Sequence, residues 1–362
     1  MKLLLLPVLA GRSLAENIAV KPLLPLSALC FSLFFAGPSF ARAKNPACVE
    51  ESGIPPEYCR FYVHYVSTNV PSDPRILRAM HMTEADHVRS IALVISVSEY
   101  PKLGISLPAA ATDGERLQNF FSNDQRFDEV IALSGKDATR QNVELFLREL
   151  LPARGVTFGK NTRLVIALSV HGHVATVTSR AAFVFAGARR IGDSDGTMLM
   201  SQFAQLVDDL SETNGQVLTL INACYGGAVF KTSQGQMAPL NFTVPTSYTI
   251  SAGESSEPVV SLDARNGSIF FDEFIRRVQS SSDVFAPTGR LGDIINTYGV
   301  FSFLVKRMAE INEDHPEGIG GIAELSSPVI GANFPSRSLK AGGPLFFLRP
   351  KAREASKSTI GL

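Results

Sequence analysis

The chain has no excess of charge of either sign. Its 362 residues include 34 lysines and arginines and 34 aspartates and glutamates. No basic cluster stands out, so nothing attracts the phosphates of a nucleic acid or an anionic membrane surface. We therefore expect no nucleic-acid partner. Internal repeats and low-complexity segments are also absent, and a 45% hydrophobic composition is enough for one large domain or two small ones.

The apolar run near the start is too short for a membrane span. It covers residues 23–36, whereas a spanning helix needs roughly 20 apolar residues. It follows Lys21 and precedes small residues at 41–43, an arrangement typical of a cleaved leader. We predict a signal peptide over residues 1–43, export to the periplasm or beyond, and no stable membrane insertion after leader removal. The alternative is an uncleaved anchor or a buried helix.

Cysteines are few: the chain has four, and Cys30 lies inside the leader. Cys48 and Cys59 lie close together in a predicted extension over residues 44–88, a spacing that suits a disulfide in an oxidising compartment. Cys224 then remains alone, and a single unpaired cysteine in an exported chain is a candidate reactive thiol. The alternative is a buried cysteine that acts only as a small hydrophobic side chain.

From residue 91 onward, short apolar runs alternate with helical patterns. This alternation predicts an α/β domain over residues 89–350, a mostly parallel sheet covered by helices on both faces, followed by a loose polar tail over 351–362. The predicted strands are residues 91–97, 129–133, 164–169, 217–222 and 248–252, with 344–348 as a strand that closes the sheet. The predicted helices contain residues 109–121, 143–150, 203–210, 271–278 and 300–311, and a hairpin contains 182–186.

Two of the predicted strands end in reactive residues. The strand at 164–169 leads into His171, and the strand at 217–222 leads into Cys224. Catalytic groups of open α/β sheets gather outside the carboxyl ends of the strands, so these two residues are expected side by side. Acyl transfer by a thiol needs a nucleophile, an imidazole that handles protons, and backbone donors for the oxyanion. Glycines next to both residues allow close approach of a peptide.

These residues resemble a known family. Ala223-Cys224-Tyr225-Gly226, with a histidine roughly 50 residues upstream, resembles the caspase signature. The segments 111–114, 169–172, 250–254 and 267–271 are similar to those of caspases and especially of bacterial metacaspase-type enzymes. The resemblance covers residues 91–348, and legumain-like relatives are the nearest competitor. It implies a three-layer αβα sandwich and a cysteine endopeptidase acting on peptides or proteins.

The resemblance also implies roles for the catalytic residues. Cys224 is the nucleophile that attacks the scissile carbonyl, and His171 protonates the leaving amine. The backbone amides of Gly172 and Cys224 form the oxyanion hole. His173, two residues beyond His171, is the rival for the histidine role, although the family pattern places the histidine before the glycine.

Three further positions match the substrate pocket of the family. Asp113 and Ser169 correspond to pocket residues of metacaspases. Asn222 departs from the pattern, because metacaspases have aspartate two residues before the cysteine. A neutral amide there removes a charge that would pair with a basic substrate side chain. Val170 also replaces a glycine of the family.

Two questions stay open at the level of sequence. No cofactor is expected. The resemblance to metacaspases, which often need calcium, leaves one alternative: the turn containing Asp193 and Asp195 is either an oxygen-rich calcium site or a solvated turn. The departures at Val170 and Asn222 also allow a second function, a catalytically inactive caspase-fold protein that serves in recognition.

Overall fold

The protein was analysed as a computed structural model that describes Cys48 and residues 53–175, 180–232, 246–259, 265–280, 294–319, 324–333 and 345–350. The predicted signal peptide and the predicted polar tail lie outside these residues. Within the described part of the chain, no helix combines the length and the hydropathy of a membrane span.

The fold is built on a seven-stranded central sheet. Its strands are β1 (Tyr62–Tyr65), β2 (Arg89–Ser96), β5 (Glu129–Ser134), β6 (Thr162–Ser169), β10 (Gln216–Asn222), β11 (Thr246–Ser251) and β13 (Val329–Asn333). Their order in the sheet is β1-β5-β2-β6-β10-β11-β13. The five inner strands run parallel, and the two edge strands, β1 and β13, run antiparallel to their neighbours.

The inner strands are buried on both faces. Alternate residues of a strand point to opposite sides, so Ile91 and Leu93 pack in one core while Ala92 and Val94 pack in the other. Helices cover each face, which makes the three-layer α/β/α arrangement predicted from the sequence. The helices are α1 (Pro74–Ala79), α2 (Pro108–Asn119), α3 (Arg140–Leu145), α4 (Leu151–Phe158), α5 (Met200–Thr213), α6 (Ile269–Gln279) and α7 (Thr297–Asp314).

Helix starts follow local capping chemistry. The hydroxyl of Ser268 accepts a hydrogen bond from the amide of Phe271 at 3.3 Å at the start of α6, and the side chain of Asn296 caps α7 in the same way. Pro108 stands in the first turn of α2, where its missing N–H costs nothing.

Smaller sheets accompany the central one. A three-stranded antiparallel sheet consists of β7 (His171–Ala175), β8 (Arg180–Val184) and β9 (Thr197–Leu199), and it contains the predicted hairpin. The remaining pairs are β3 (Glu99–Tyr100) with β4 (Ile105–Ser106), and β12 (Ile294–Asn296) with β14 (Phe346–Leu348).

The prediction that residues 344–348 close the central sheet is wrong. Phe346–Leu348 is extended, but it pairs with β12 in a separate sheet. The position beside β11 is taken by β13 instead. Leu348 is also held by the Gln125 side chain, which accepts from its amide at 2.7 Å and donates to its carbonyl at 3.0 Å. These bonds satisfy the amide and the carbonyl of Leu348 without pairing to the central sheet.

The segment before β2 contributes to the main core. Cys48 and Cys59 form a disulfide with their Cα atoms 5.8 Å apart, and both are fully buried. Phe61 follows and packs edge-on against Phe146 of the helical layer. Through β1, residues predicted to form a separate extension supply one edge of the central sheet.

Candidate active site

The pairing of β6 with β10 brings the two predicted reactive residues together. Their parallel register sets Asn222 opposite Ser169, and the amide of Val170 donates to the carbonyl of Asn222 at 3.3 Å just beyond the strand ends. His171 and Cys224 follow, and both line one pocket at this carboxyl edge of the sheet. The position agrees with the general location of sites in open α/β folds.

Gly172 lies directly against the backbone of Cys224. A methyl group added at Gly172 would overlap the carbonyl oxygen of Cys224, which is main chain and has no freedom to swing aside. A side chain at this position would therefore displace Cys224. The strand that carries Gly172 is also held by antiparallel pairing, in which Gly172 lies opposite Phe183 of β8. The site thus requires glycine because two backbones meet there.

A sharp turn presents Cys224. The next residue, Tyr225, has φ of 61°, a left-handed conformation that is uncommon for a bulky side chain. Its amide donates to the carbonyl of Glu257 at 2.9 Å, which ties the turn to the loop that follows β11. Cys224 is a free, partly buried cysteine, and its Sγ lies 3.7 Å from the carbonyl oxygen of Val259 in the same loop.

A buried tyrosine fixes the backbone of His171. The hydroxyl of Tyr100 accepts from the amide of His171 at 2.8 Å and donates to the carbonyl of Val184 at 3.0 Å. Its ring also meets the imidazole edge-on, with centroids 6.2 Å apart. Sequence reasoning missed this role: Tyr100 stands just after the first predicted strand, but no local pattern shows where its hydroxyl points.

The protonation of His171 is biased toward the neutral form. Burial lowers the pKa of His171 below its usual value of 6.5, and the nearby charge of His173 lowers it further. The imidazole is therefore uncharged near neutral pH and able to accept a proton. His173 lies on the same strand, opposite Ala182, and is not among the described residues that line the pocket with Cys224.

The three predicted substrate-pocket residues form one buried polar cluster. Asp113, Ser169 and Asn222 are at most 4% exposed. The hydroxyl of Ser169 donates to Oδ2 of Asp113 at 2.6 Å, and Nδ2 of Asn222 lies 3.3 Å from Oγ of Ser169 and 3.4 Å from the same carboxylate oxygen. The amide of Ser268 donates to Oδ1 of Asp113 at 2.7 Å.

Burial dominates the electrostatics of this cluster. It raises the pKa of Asp113, while the hydrogen bonds from Ser169 and Ser268 act in the opposite direction. Ser169 and Asn222 line the pocket that holds Cys224, and Asp113 lies behind them. Beside His171 and Cys224, the polar side chains of the pocket lining are thus the neutral groups of Ser169 and Asn222, and the remaining lining residues are apolar.

The described residues contain no group of three or more His, Cys, Asp or Glu side chains placed to hold a metal ion. Asp193 accepts from the amides of Asp195 and Arg189 within its own turn, at 3.1 and 3.2 Å. Calcium dependence therefore stays a prediction.

Comparisons with known proteins identify the family. The sequence model of the caspase domain matches residues 89–294, more than half of the chain. Two solved structures are similar: a structural-genomics protein from Geobacter sulfurreducens (14% identity, TM-score 0.44, 67% of this chain and 93% of the other) and caspase-1 from Spodoptera frugiperda (12%, 0.44, 68% and 87%). No curated protein matches significantly. By the extent of the domain match, the chain belongs to the caspase family of cysteine peptidases.

Proposed function

We propose that this protein is an exported cysteine endopeptidase in which Cys224 and His171 form the catalytic dyad. One observation carries the proposal: the backbone of Gly172 lies against that of Cys224 while His171 and Cys224 share a pocket. A structural cysteine needs no such approach of two strand ends. Membership of the caspase family implies that the substrates are peptides or proteins.

The chemistry follows from the residues. The neutral imidazole of His171 takes the thiol proton, and the thiolate of Cys224 attacks the scissile carbonyl carbon to form a new C–S bond. His171 returns the proton to the leaving amine as the C–N bond breaks. Water then attacks the resulting thioester, His171 accepts its proton, and the products are a carboxylic acid and the regenerated thiol.

The tetrahedral intermediate carries a negative oxygen that needs donors. We assign the backbone amides of Gly172 and Cys224 to this role. Their support is the contact between the two backbones, which leaves no room for a side chain between them. Removing one donor of this kind typically costs about 100-fold to 1,000-fold in kcat.

Export is part of the proposal. The apolar run at residues 23–36 is typical of a leader, and the Cys48–Cys59 disulfide suits an oxidising compartment. Sequencing the N-terminus of the protein recovered from the periplasm or medium tests this. A mature chain that begins near residue 44 supports it, and a full-length chain retained in the cytoplasm contradicts it.

The activity test is hydrolysis of a fluorogenic peptide library, with and without calcium, by the wild type and by the Cys224→Ala and His171→Ala variants. Both substitutions should abolish cleavage. His173→Ala is the matched control, because His173 lies on the same strand and does not line the pocket; it should retain activity at pH 8. A folded wild type that cleaves no peptide under either condition would instead favour an inactive recognition protein.

A further inference from the structure

The pocket beside Cys224 has a floor formed by Ser169 and Asn222, which both line it and are 2% and 4% exposed. When Sγ attacks a peptide carbonyl, the side chain of that same substrate residue has to lie close to the sulfur. This pocket is adjacent to the sulfur and to His171. Its lining is therefore placed to contact the side chain of the residue whose carbonyl is attacked.

Hydrogen bonds fix the orientation of the Asn222 amide. Its Nδ2 faces the Ser169 hydroxyl oxygen and the Asp113 carboxylate. The reversed amide would set an acceptor oxygen against the same oxygen of Asp113 that already accepts from the Ser169 hydroxyl. The nitrogen therefore faces Ser169 and Asp113, and Oδ1 is the atom of Asn222 that is left without a partner among the described residues.

Oδ1 of Asn222 has no hydrogen-bond partner among the described residues, although the side chain is buried. A buried acceptor without a donor is unfavourable, and a ligand that supplies one removes the penalty. The acidic group behind it is already engaged, because Asp113 accepts from Ser169 and from the amide of Ser268. The pocket thus offers an unpaired neutral acceptor and not an open carboxylate.

We propose that this pocket takes a side chain that ends in an uncharged N–H donor, that of asparagine or glutamine, with its carboxamide donating to Oδ1 of Asn222. The inference rests on the proposed peptidase function, since it names the residue whose carbonyl Cys224 attacks. Lysine and arginine would lose water around their charge without gaining a free carboxylate. Aspartate and glutamate would bring acceptor oxygens against an acceptor.

Binding to the Cys224→Ala protein tests the pocket without requiring catalysis. Calorimetry compares peptides that are identical except for asparagine, glutamine, arginine or aspartate at the cleavage position. The asparagine or glutamine peptide should bind at least about tenfold more tightly than the charged ones, because a site with buried polar groups discriminates strongly against a ligand that leaves them unpaired. Tighter binding of the arginine or aspartate peptide, or four affinities within twofold, would overturn the inference.

Asn222→Asp supplies a matched variant, because it replaces the carboxamide with a carboxylate of nearly the same shape. Introduced beside Cys224→Ala, it should move the preference to the arginine peptide, and an unchanged order of affinities would contradict the proposal. Cleavage by the wild type separates the two hypotheses. Selective binding without any cleavage would contradict the proposed peptidase function and still support the proposed specificity of the pocket. Cleavage combined with a preference for charged side chains would support the peptidase function and contradict only the proposed specificity of the pocket.

Discussion

Tyr100 is the residue through which the loop after β2 holds the backbone of His171, the proposed catalytic histidine. Its hydroxyl both accepts from the amide of His171 and donates to the carbonyl of Val184. Tyr100 is not among the described residues that line the pocket with Cys224, so we assign it the role of a positioning residue. Without the hydroxyl, two backbone groups lose their partner and the strand that carries His171 loses one anchor.

We therefore expect Tyr100→Phe to lower kcat about tenfold or more with little change in KM, because a misplaced catalytic group weakens the transition state more than substrate binding. Tyr62→Phe is the matched control. Tyr62 is also buried, but its hydroxyl has no hydrogen-bond partner among the described residues, so its kinetics should match the wild type. The test is to measure kcat and KM of both variants on one peptide. Equal effects of the two substitutions would contradict the positioning role of Tyr100.

The acid side of the pH profile is set by the pKa of His171. Burial lowers this pKa most, and the charge of His173 lowers it further. The base form of His171 is lost as pH falls through this lowered pKa. Activity should therefore persist to a pH below the usual histidine value of 6.5.

Replacing His173 removes the repulsion from its charge. Protonation of the His171 imidazole then becomes easier, and the pKa of His171 rises. We expect His173→Gln to move the acid limb of kcat/KM to higher pH while leaving the rate at pH 8 unchanged. Added salt should reduce the difference between the two proteins, because it screens the charge. A limb that stays in place, or moves to lower pH, would exclude this electrostatic coupling.

Gly172 is the residue at which the addition of a single methyl group should reduce activity most. Because a methyl group there would overlap the Cys224 carbonyl, Gly172→Ala should lower kcat/KM about 100-fold or more through displacement of the nucleophile. Gly159→Ala is the control: Gly159 has no neighbour within 4 Å of an added Cβ, so it should lose stability through its positive φ but keep activity. Comparable activity of the two variants would argue against the backbone contact.

At the scale of elements, a buried cluster of ion pairs stabilises the end of the sheet opposite to the candidate active site. Glu129 begins β5, is fully buried, and accepts from Arg89 Nε at 2.7 Å and from the Arg154 guanidinium. The arginines lie over aromatic rings, including that of Phe158. This ion cluster stands at the amino end of the parallel strands, away from the reactive residues at their carboxyl ends.

Loss of the shared carboxylate leaves two buried cations without their partner. Glu129→Gln should reduce the free energy of unfolding by about 3–5 kcal/mol. Glu144→Gln, which breaks the partly exposed pair with Arg140, should cost no more than about 1 kcal/mol. Urea unfolding measures both, and the folded Glu129→Gln protein should keep the wild-type kcat. A cost as small as that of the control would show that the cluster is not a stabilising one.

The inner elements could be predicted because burial on both faces produces nearly unbroken apolar runs. The strand predicted at 217–222 is observed as Gln216–Asn222, and the one at 91–97 as Arg89–Ser96. The edge strands were missed. Tyr62–Tyr65 has only four residues, with the two buried ones at its ends, and Val329–Asn333 contains a glycine and a polar end, so neither has a clear strand pattern.

A related reason explains the error at 344–348. An apolar run predicts extended structure, but it does not name the partner strand. Phe346–Leu348 is extended as predicted and pairs outside the central sheet because Gln125 and β12 satisfy its backbone. Pairing over long sequence distances depends on the whole fold and is not encoded in local periodicity.

At the scale of the whole molecule, chain topology assembles the site. His171 and Cys224 are far apart in sequence, and the adjacency of β6 and β10 brings them to one pocket. That adjacency was predictable from the rule that sites form at the carboxyl ends of parallel strands. The hydroxyl of Tyr100 and the unpaired oxygen of Asn222 were not, since side-chain direction is set by packing among distant segments.

The central claim is that Sγ of Cys224 forms a covalent bond with the substrate acyl group. Rapid acid quenching of the wild type with a peptide ester, followed by mass spectrometry of the digested protein, tests it most directly. The account predicts an acyl group on the peptide that contains Cys224, no adduct in Cys224→Ala, and much slower adduct formation in His171→Ala. Turnover of the ester without an adduct at Cys224, or an adduct on another residue, would contradict it.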